Sequence, residues 1–349
     1  MTTATEAAAA GGAPVEPRLA AWLTSALGDP GPFDLVRLAG GNSNETLLLR
    51  SPGARRILRR PPPASLSPTA HDMVRERRVL AALHAAVVAV PEPLALCTDP
   101  AVAPAPLLVM EHVHGVVLRD RLPDGWPRGA ETARAIGEAV IDALAAVHMA
   151  DWQAAGLDGF GRPEGFLARQ VPRWRKQYQR HQVRDLPVFD ELAAWLEAHR
   201  PPEAAPALLH GDFHLDNCIL APDLPVAVAA IIDWEMATIG DPMLDVGLFL
   251  AFWGTDRPPQ PAWTTMQAVS RVLGAPSRGE LAERYAAATG RDVTHLRYYL
   301  TLAFWKLAAI VEGAYAHHVA GRLRSDYARG LGADVPRLLD EAAGFAGLR

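Results

Sequence analysis

One stretch constrains this 349-residue chain more than any other. It runs His210-Gly211-Asp212-Phe213-His214-Leu215-Asp216-Asn217, continues through the apolar run Val226–Ile232, and ends in Asp233-Trp234-Glu235. The form is HGDxxxxN, then a strand, then D. Asp212 and Asn217 stand at the two ends of one loop and can face a common point. The apolar run predicts a buried strand, so Asp233 leaves a buried segment and projects a carboxylate at its end. Each residue alone also has a plain structural reading: HGD as a turn, Asn217 as a cap, Asp233 as the N-cap of a following helix. The three in this order, with a strand between them and a glycine-rich hairpin far upstream, favour one chemical site.

The residue types indicate which chemistry. A carboxylate that orients and deprotonates a hydroxyl, beside oxygen ligands suited to Mg²⁺, is what phosphoryl transfer asks of a protein. Asp212 is therefore expected as catalytic base, with Asn217 and Asp233 as Mg²⁺ ligands. Composition excludes several alternatives. The formal net charge of −5 gives no basic excess for nucleic acid. No apolar run approaches the roughly 18 residues of a membrane span. Residues 1–16 are small and lack a basic start, and read as a frayed tail rather than a signal peptide, so a cytoplasmic protein is expected. Cys97 and Cys218 lie far apart without a CxxC spacing, which argues against a disulfide framework or a thiolate zinc site. Of the 34 lysines and arginines, only Lys176 and Lys306 are lysine. A phosphate-holding cation before residue 176 would have to be arginine.

Along the chain, apolar positions at helical spacing predict a helix over 17–28, ended by Asp29-Pro30-Gly31-Pro32. Short segments at 35–39, 45–50 and 55–60, separated by Gly40-Gly41-Asn42-Ser43 and Ser51-Pro52-Gly53, predict a three-strand meander. A helix over 70–86 with Val74, Leu80 and Leu83 near one face follows, then strands at 93–97 and 106–113. Helices dominate from residue 131 onward (131–149, 187–199, 245–253, 279–289, 292–318, 325–345), except for short strands within 206–232. The outline is a flexible tail and N-terminal helix over 1–30, a β-rich lobe over 31–112 and a larger helical lobe over 113–349.

The segments LAGGNSNETLLL, RRILRRPPP, VRERRVLAAL, LLHGDFHLDN and IIDWEMATIGDPMLDVG carry a resemblance over roughly residues 30–320. The chain resembles the aminoglycoside phosphotransferase and choline-kinase-like superfamily, whose HGDxxxxN loop stands for the HRDxxxxN loop of protein kinases. It is most similar to the kinase-like domain found alone in bacteria or fused to acyl-CoA dehydrogenases. The resemblance implies an α+β, two-lobed protein-kinase-like fold, with a small antiparallel-sheet N-lobe carrying one helix and a larger, mainly helical C-lobe. It implies a Mg-ATP-dependent phosphotransferase acting on a small-molecule hydroxyl acceptor, with a hydroxyacyl-CoA-like metabolite as one candidate and an aminoglycoside or amino alcohol as others. A nucleotide-binding pseudokinase, or a regulatory domain beside an acyl-CoA dehydrogenase, is the alternative.

The same resemblance implies roles for further positions. Gly40, Gly41, Asn42 and Ser43 match the nucleotide-covering hairpin, where small residues let backbone N–H groups approach phosphates. Glu76 matches the glutamate that pairs with the phosphate-holding cation; without the resemblance it reads as a surface charge. Met110, Glu111 and Val113 match the interlobe linker that meets adenine. The usual lysine of the third strand is absent, and Arg59 takes its place, with Arg60 the alternative if the strand register shifts. Asp245 is expected to hold the HGD loop, Asp241 to serve a turn, and Glu235 to face solvent, with assistance to the metal as its alternative.

Other clusters are weaker. His210 and His214 lack an HExxH arrangement, so zinc is disfavoured. His112 and His114 read as half-exposed residues flanking the linker, and His317 and His318 as the end of a helix. Tyr298, Tyr299, Phe304 and Trp305 recur at helical spacing and read as core. Residues 171–180 (VPRWRKQYQR) read as a solvated helix face with aromatic anchors, or as a basic rim of the acceptor pocket that would suit an anion better than a polycationic aminoglycoside.

Overall fold

The computed structural model describes residues 12–38, 44–62, 72–118, 122–254, 268–323 and 326–349. In chain order the strands and helices are β1 (Ala13–Pro14), α1 (Pro17–Leu27), β2 (Asp34–Arg37), β3 (Glu45–Ser51), β4 (Ala54–Arg60), α2 (Met73–Ala85), β5 (Pro93–Cys97), β6 (Leu107–Glu111), β7 (Val116–Val117), α3 (Ala130–Met149), α4 (Gln170–His181), α5 (Pro187–Ala198), β8 (Ala207–Leu209), β9 (Cys218–Leu220), β10 (Val228–Ile231), β11 (Thr238–Gly240), α6 (Met243–Phe252), α7 (Arg278–Thr289), α8 (Leu296–Val319) and α9 (Asp326–Ala346). They form two compact units. The first comprises Met1–Val117, Ala150–Leu157 and Asn217–Ala237, and the second Leu118–Met149, Asp158–Asp216 and Thr238–Arg349.

In the first unit an antiparallel sheet runs in the order β1-β2-β3-β4-β6-β5. Alternation along its strands sends Leu47, Leu49, Leu58, Leu107 and Val109 to one face, where they pack with Leu19 and Leu23 of α1. Leu58 is fully buried there, so truncating it to alanine should cost roughly 2–5 kcal/mol. Arg59, its neighbour on the same strand, must then point to the opposite face. Helix α1 carries proline in its first turn and closes at Gly28, whose left-handed φ of 63° suits a residue without a Cβ. Helix α2 starts later than its periodicity suggests, because the Asp72 carboxylate caps it by accepting from the amides of Val74 and Arg75. Met73, Glu76, Val79, Leu80 and Leu83 form the buried face, whereas Val74, expected inside, stands about 100° round the helix from Met73 and is exposed.

A smaller sheet in the same unit, in the order β10-β9-β7, is built on the β9–β10 hairpin. Cys218 pairs with Ile231, and the Ile232 amide donates to the Asn217 carbonyl at 2.9 Å. Asn217 and Asp233 therefore emerge at the same end of one hairpin.

The second unit is mainly helical. Long helix α8 packs against α4, α6 and α9, and α3 packs against α7. Tyr298, Tyr299, Phe304 and Trp305 of α8 are buried, as their spacing implies. Trp305 donates its indole N–H to the Phe189 carbonyl at 3.0 Å, which satisfies the one polar atom of a fully buried ring. A two-stranded ribbon pairs β11 with β8, its register setting Leu209 opposite Thr238. Strands β1 and β11 carry too few residues for a periodicity signal, and the sequence reading passes over both. Cys97 and Cys218 are buried thiols, neither of them in a disulfide. Among the described residues no helix is long and apolar enough to cross a membrane.

Candidate active site

The first unit assembles a charged cluster on the sheet face opposite its core. Arg59, leaving β4 toward that face, meets Glu76 from α2 in a short ion pair, and its other terminal nitrogen donates to Asp233 Oδ1 at 2.9 Å. Arg59 and Glu76 are both buried, at 7% and 2% exposure. Glu76 is thus no surface charge. Arg60 lies more open, with its side chain 41% exposed, and pairs with Glu45 instead. The strand register therefore gives the cluster to Arg59.

Arginine suits this position because its planar fork can serve two carboxylates at once, which a lysine point charge does less well. Burial works against the guanidinium charge, but Glu76, Asp233 and Glu235 outweigh it and push its pKa further up. Complete burial pushes the Glu76 carboxyl up to about 7, against the pull of Arg59. One cation shared between two carboxylates does not fully offset the burial of Glu76. Arg59 Nε and Glu76 Oε2 are buried without a hydrogen-bond partner among the described residues. Such atoms usually find partners, and these two remain unmatched within the described cluster.

Asp233 follows β10 with φ 68° and ψ 62°, a left-handed conformation uncommon outside glycine, and its side chain caps nothing. The capping interpretation of Asp233 is therefore wrong; its carboxylate is turned to Arg59. Glu235, expected in solvent, is half-buried and accepts from the Asn44 amide at 2.9 Å. Asn217 is buried at the end of the same hairpin. An amide oxygen and hard carboxylates form a donor set that fits Mg²⁺, an ion that completes its octahedron with water and phosphate oxygens rather than with protein alone.

The second unit holds the loop that carries Asp212. Buried Asp245 on α6 accepts from the His210 amide at 2.6 Å and the Gly211 amide at 3.0 Å, so it holds the loop by its backbone as expected. Behind it, His148 of α3 places Nε2 3.5 Å from Asp245 and Nδ1 2.8 Å from the Tyr285 hydroxyl. Burial pushes His148 down against the pull of Asp245. A neutral imidazole then donates toward Asp245 and accepts from Tyr285. Gly211 has φ 87°, where a side chain would be strained.

Asp212 itself is half exposed, with His214 Nε2 3.6 Å from its Oδ2. Partial desolvation raises its carboxyl, but His214, His210 and Lys306 outweigh it and hold the pKa at about 2. The group is fully ionised at neutral pH.

The remaining expected residues divide. Gly40, Gly41, Asn42 and Ser43 lie outside the described residues. Met110 is buried on β6 opposite Ile57. Exposed Glu111 accepts from the Glu92 amide at 3.2 Å and spends its own N–H on the Glu92 carbonyl, so that amide is taken. Val113, just beyond β6, is half-buried. His112 is half-buried and His114 exposed. Asp241 does more than turn the chain: it is buried, accepts from the Met243 amide at 3.0 Å where α6 begins, and accepts from the Tyr299 hydroxyl at 2.7 Å. Among the described residues no group of three or more His, Cys, Asp or Glu side chains could hold a metal by itself.

Two contributors escaped sequence reasoning. Asn44 and His148 carry no motif. Lys306 did carry a signal, its rarity. Its Nζ donates to the Gly211 carbonyl at 3.4 Å and lies 5.2 Å from the Trp174 ring centre, and burial pushes its ammonium down.

Known proteins match this chain in sequence and fold. A profile of the phosphotransferase enzyme family matches residues 34–299. Acyl-CoA dehydrogenase family member 10 of Mus musculus is 34% identical over 319 residues, which covers 90% of this chain and 29% of that protein. The chain thus spans less than a third of that relative. A solved structure of a Ralstonia eutropha protein, described as a candidate aminoglycoside phosphotransferase, matches with a TM-score of 0.82 at 31% identity over 95% of this chain and 97% of that one. Aminoglycoside phosphotransferase APH(4)-Ia, solved with AMP-PNP and hygromycin B, matches with a TM-score of 0.60 at 19% identity over 94% of this chain and 100% of that one, a likeness of fold. The expected α+β kinase-like fold is borne out.

Proposed function

Because the chain belongs to the phosphotransferase enzyme family, we propose that it moves the γ-phosphoryl group of ATP onto a hydroxyl of a small-molecule acceptor. The observation that carries this reading is the Arg59–Glu76–Asp233 cluster: a buried cation, held by a glutamate, turned to the carboxylate proposed for the metal. Asn217 and Asp233 would hold Mg²⁺, which when bound supplies charge neutralisation at the phosphates. Arg59 would bind phosphate oxygens, Glu76 would fix its direction, and ionised Asp212 would orient the acceptor hydroxyl and take its proton. The segment around Gly40–Ser43 would cover the nucleotide, and Met110, Glu111 and Val113 would flank its base. Residues 31–112 would then act as the nucleotide-covering lobe and 113–349 as the lobe for catalysis and the acceptor.

The relative's name supports an acceptor tied to acyl-CoA metabolism, such as a hydroxyacyl-CoA. That name also supports a second reading, a regulatory domain that serves a dehydrogenase. ADP release measured across hydroxyacyl-CoAs, amino alcohols, sugars and aminoglycosides separates them. Turnover of at least one acceptor, abolished in Asp212→Ala and in Asp233→Ala with melting temperatures retained, is expected. Silence with every acceptor despite stabilisation by ATP would favour the regulatory reading, and full activity in both variants would sink the residue roles.

A further inference from the structure

Helix α4 and the loop before it line an open depression of about 560 Å³ on the second unit, within the size range of small-ligand sites, with Arg162, Arg173 and Lys176 exposed along it. Its wall carries Arg162, Arg169, Arg173 and Lys176, with Phe166 and Gln170 among the other lining residues, and no carboxylate. Four cations on one wall repel one another unless something compensates them. The described residues do not. Arg162, Arg173 and Lys176 form no ion pair with any described carboxylate, although Arg175 on the same helix has Asp190 at 2.8 Å. The nearby Glu203 is occupied by the amides of Gly165 and Leu167.

The wall is also partly fixed in advance. Arg169 is pinned by donating to the carbonyls of Glu164 and Arg162, while Gln170 accepts from the Trp174 indole at 3.3 Å. The Trp174 ring has the Arg173 guanidinium 5.2 Å from its centre and the Lys306 ammonium at the same 5.2 Å. Lys306 in turn donates to the carbonyl of Gly211, the residue before Asp212. One buried ring thus links the cationic cavity to the loop that carries the proposed base, all within the second unit.

We propose that this cavity is a binding site for a phosphate or pyrophosphate group, held by Arg169, Arg173, Lys176 and Arg162. A phosphate carries close to two charges and several acceptor oxygens, which matches forked guanidinium donors better than a lone carboxylate would. The group belongs either to the acceptor, whose hydroxyl then faces Asp212, or to a separate phosphate-bearing effector. The first assignment rests on the phosphotransferase reading above; the existence of the site does not.

The test is calorimetric titration of the full chain with inorganic pyrophosphate, in saturating AMP-PNP and Mg²⁺ so that any nucleotide site is filled. One binding event is expected, weakened at least tenfold in the double variant Arg173→Glu/Lys176→Glu and unchanged in Arg180→Glu, an exposed α4 residue outside the cavity wall. The double glutamine variant at the same positions serves if the glutamates disturb folding, as monitored by melting temperature. No binding at millimolar pyrophosphate, equal affinity in the double variant, or an equal loss in Arg180→Glu would overturn the proposal. The source of the phosphate is resolved with phosphate-bearing acceptors and their dephosphorylated counterparts. A KM raised at least tenfold by the double variant for the phosphate-bearing members alone assigns the site to the acceptor. No change in KM alongside lost pyrophosphate binding assigns it to an effector. If the chain bound no AMP-PNP and moved no phosphate, the phosphotransferase reading would fall while the pyrophosphate titration still decided the cavity.

Discussion

Replacing Arg59 by methionine tests the buried cluster directly. Arg59 is the only cation hydrogen-bonded to Glu76 among the described contacts, and Glu76 is 2% exposed. Removing one partner of a buried ion pair costs about 3–5 kcal/mol, because the survivor is left charged in a dry place. Glu76 has an escape, since it can take up a proton. Its carboxyl already stands near 7 with Arg59 present and will stand higher without it. Each pH unit by which the medium falls short of that value saves about 1.4 kcal/mol. The sign follows from linkage. A carboxyl whose folded pKa lies above its unfolded value near 4.5 contributes stability below that value, and the contribution is lost as pH rises through the folded pKa. Arg59→Met should therefore fall furthest behind the parent at pH 8 and less at pH 6, as measured by urea unfolding. The double variant Arg59→Met/Glu76→Leu, which removes both charges, should recover to within about 1 kcal/mol of the parent and give a coupling energy of roughly 3 kcal/mol. A single variant within 1 kcal/mol of the parent at both pH values, or no recovery in the double, would refute the reasoning.

Two further outcomes concern the second unit. Asp245→Asn leaves one carbonyl oxygen for the two amides of His210 and Gly211, so one buried donor goes unmatched at a cost of about 1–3 kcal/mol; unfolding free energy and acceptor turnover should both drop, and an unchanged pair of values would show that the loop stands without it. His148, pushed down by burial, is neutral when folded but takes a proton near 6.5 when unfolded. Its contribution is present above pH 6.5 and lost as pH falls below it, so His148→Gln should flatten the decline of melting temperature between pH 7 and 5; a slope equal to the parent's would count against the buried neutral imidazole.

The parts of the fold visible in the sequence were those written in local signals. Helices α1, α3, α5, α7 and α8 and the β3–β4 hairpin show periodicity or turn residues within their own spans. The pairing of Asn217 with Asp233 at one hairpin end was readable because the motif includes the strand between them. What stayed hidden depends on contacts distant in the chain. The burial of Glu76 depends on which face of α2 packs in the folded unit, and Glu235 finds Asn44 across 191 residues. The strand alternation alone left Arg59 and Arg60 open; burial of Leu58 against α1 decided between them. His148 and Tyr285 support the HGD loop from behind through Asp245, and no spacing in the sequence ties residues 137 apart.

The backbone at Asp233 has a further consequence. A side-chain-bearing residue at φ 68° stores strain on the order of 1 kcal/mol that glycine would release. Losing the carboxylate would also return the whole of Arg59 to Glu76. Aspartate codons reach glycine codons by one nucleotide, so the change is within easy mutational reach. Under the proposed function, position 233 is one where a chain could lose the proposed transfer while staying folded and keeping its surfaces. A silent, binding-only descendant would lie one substitution away, and purifying selection at this position would have to act through the reaction itself rather than through protein abundance.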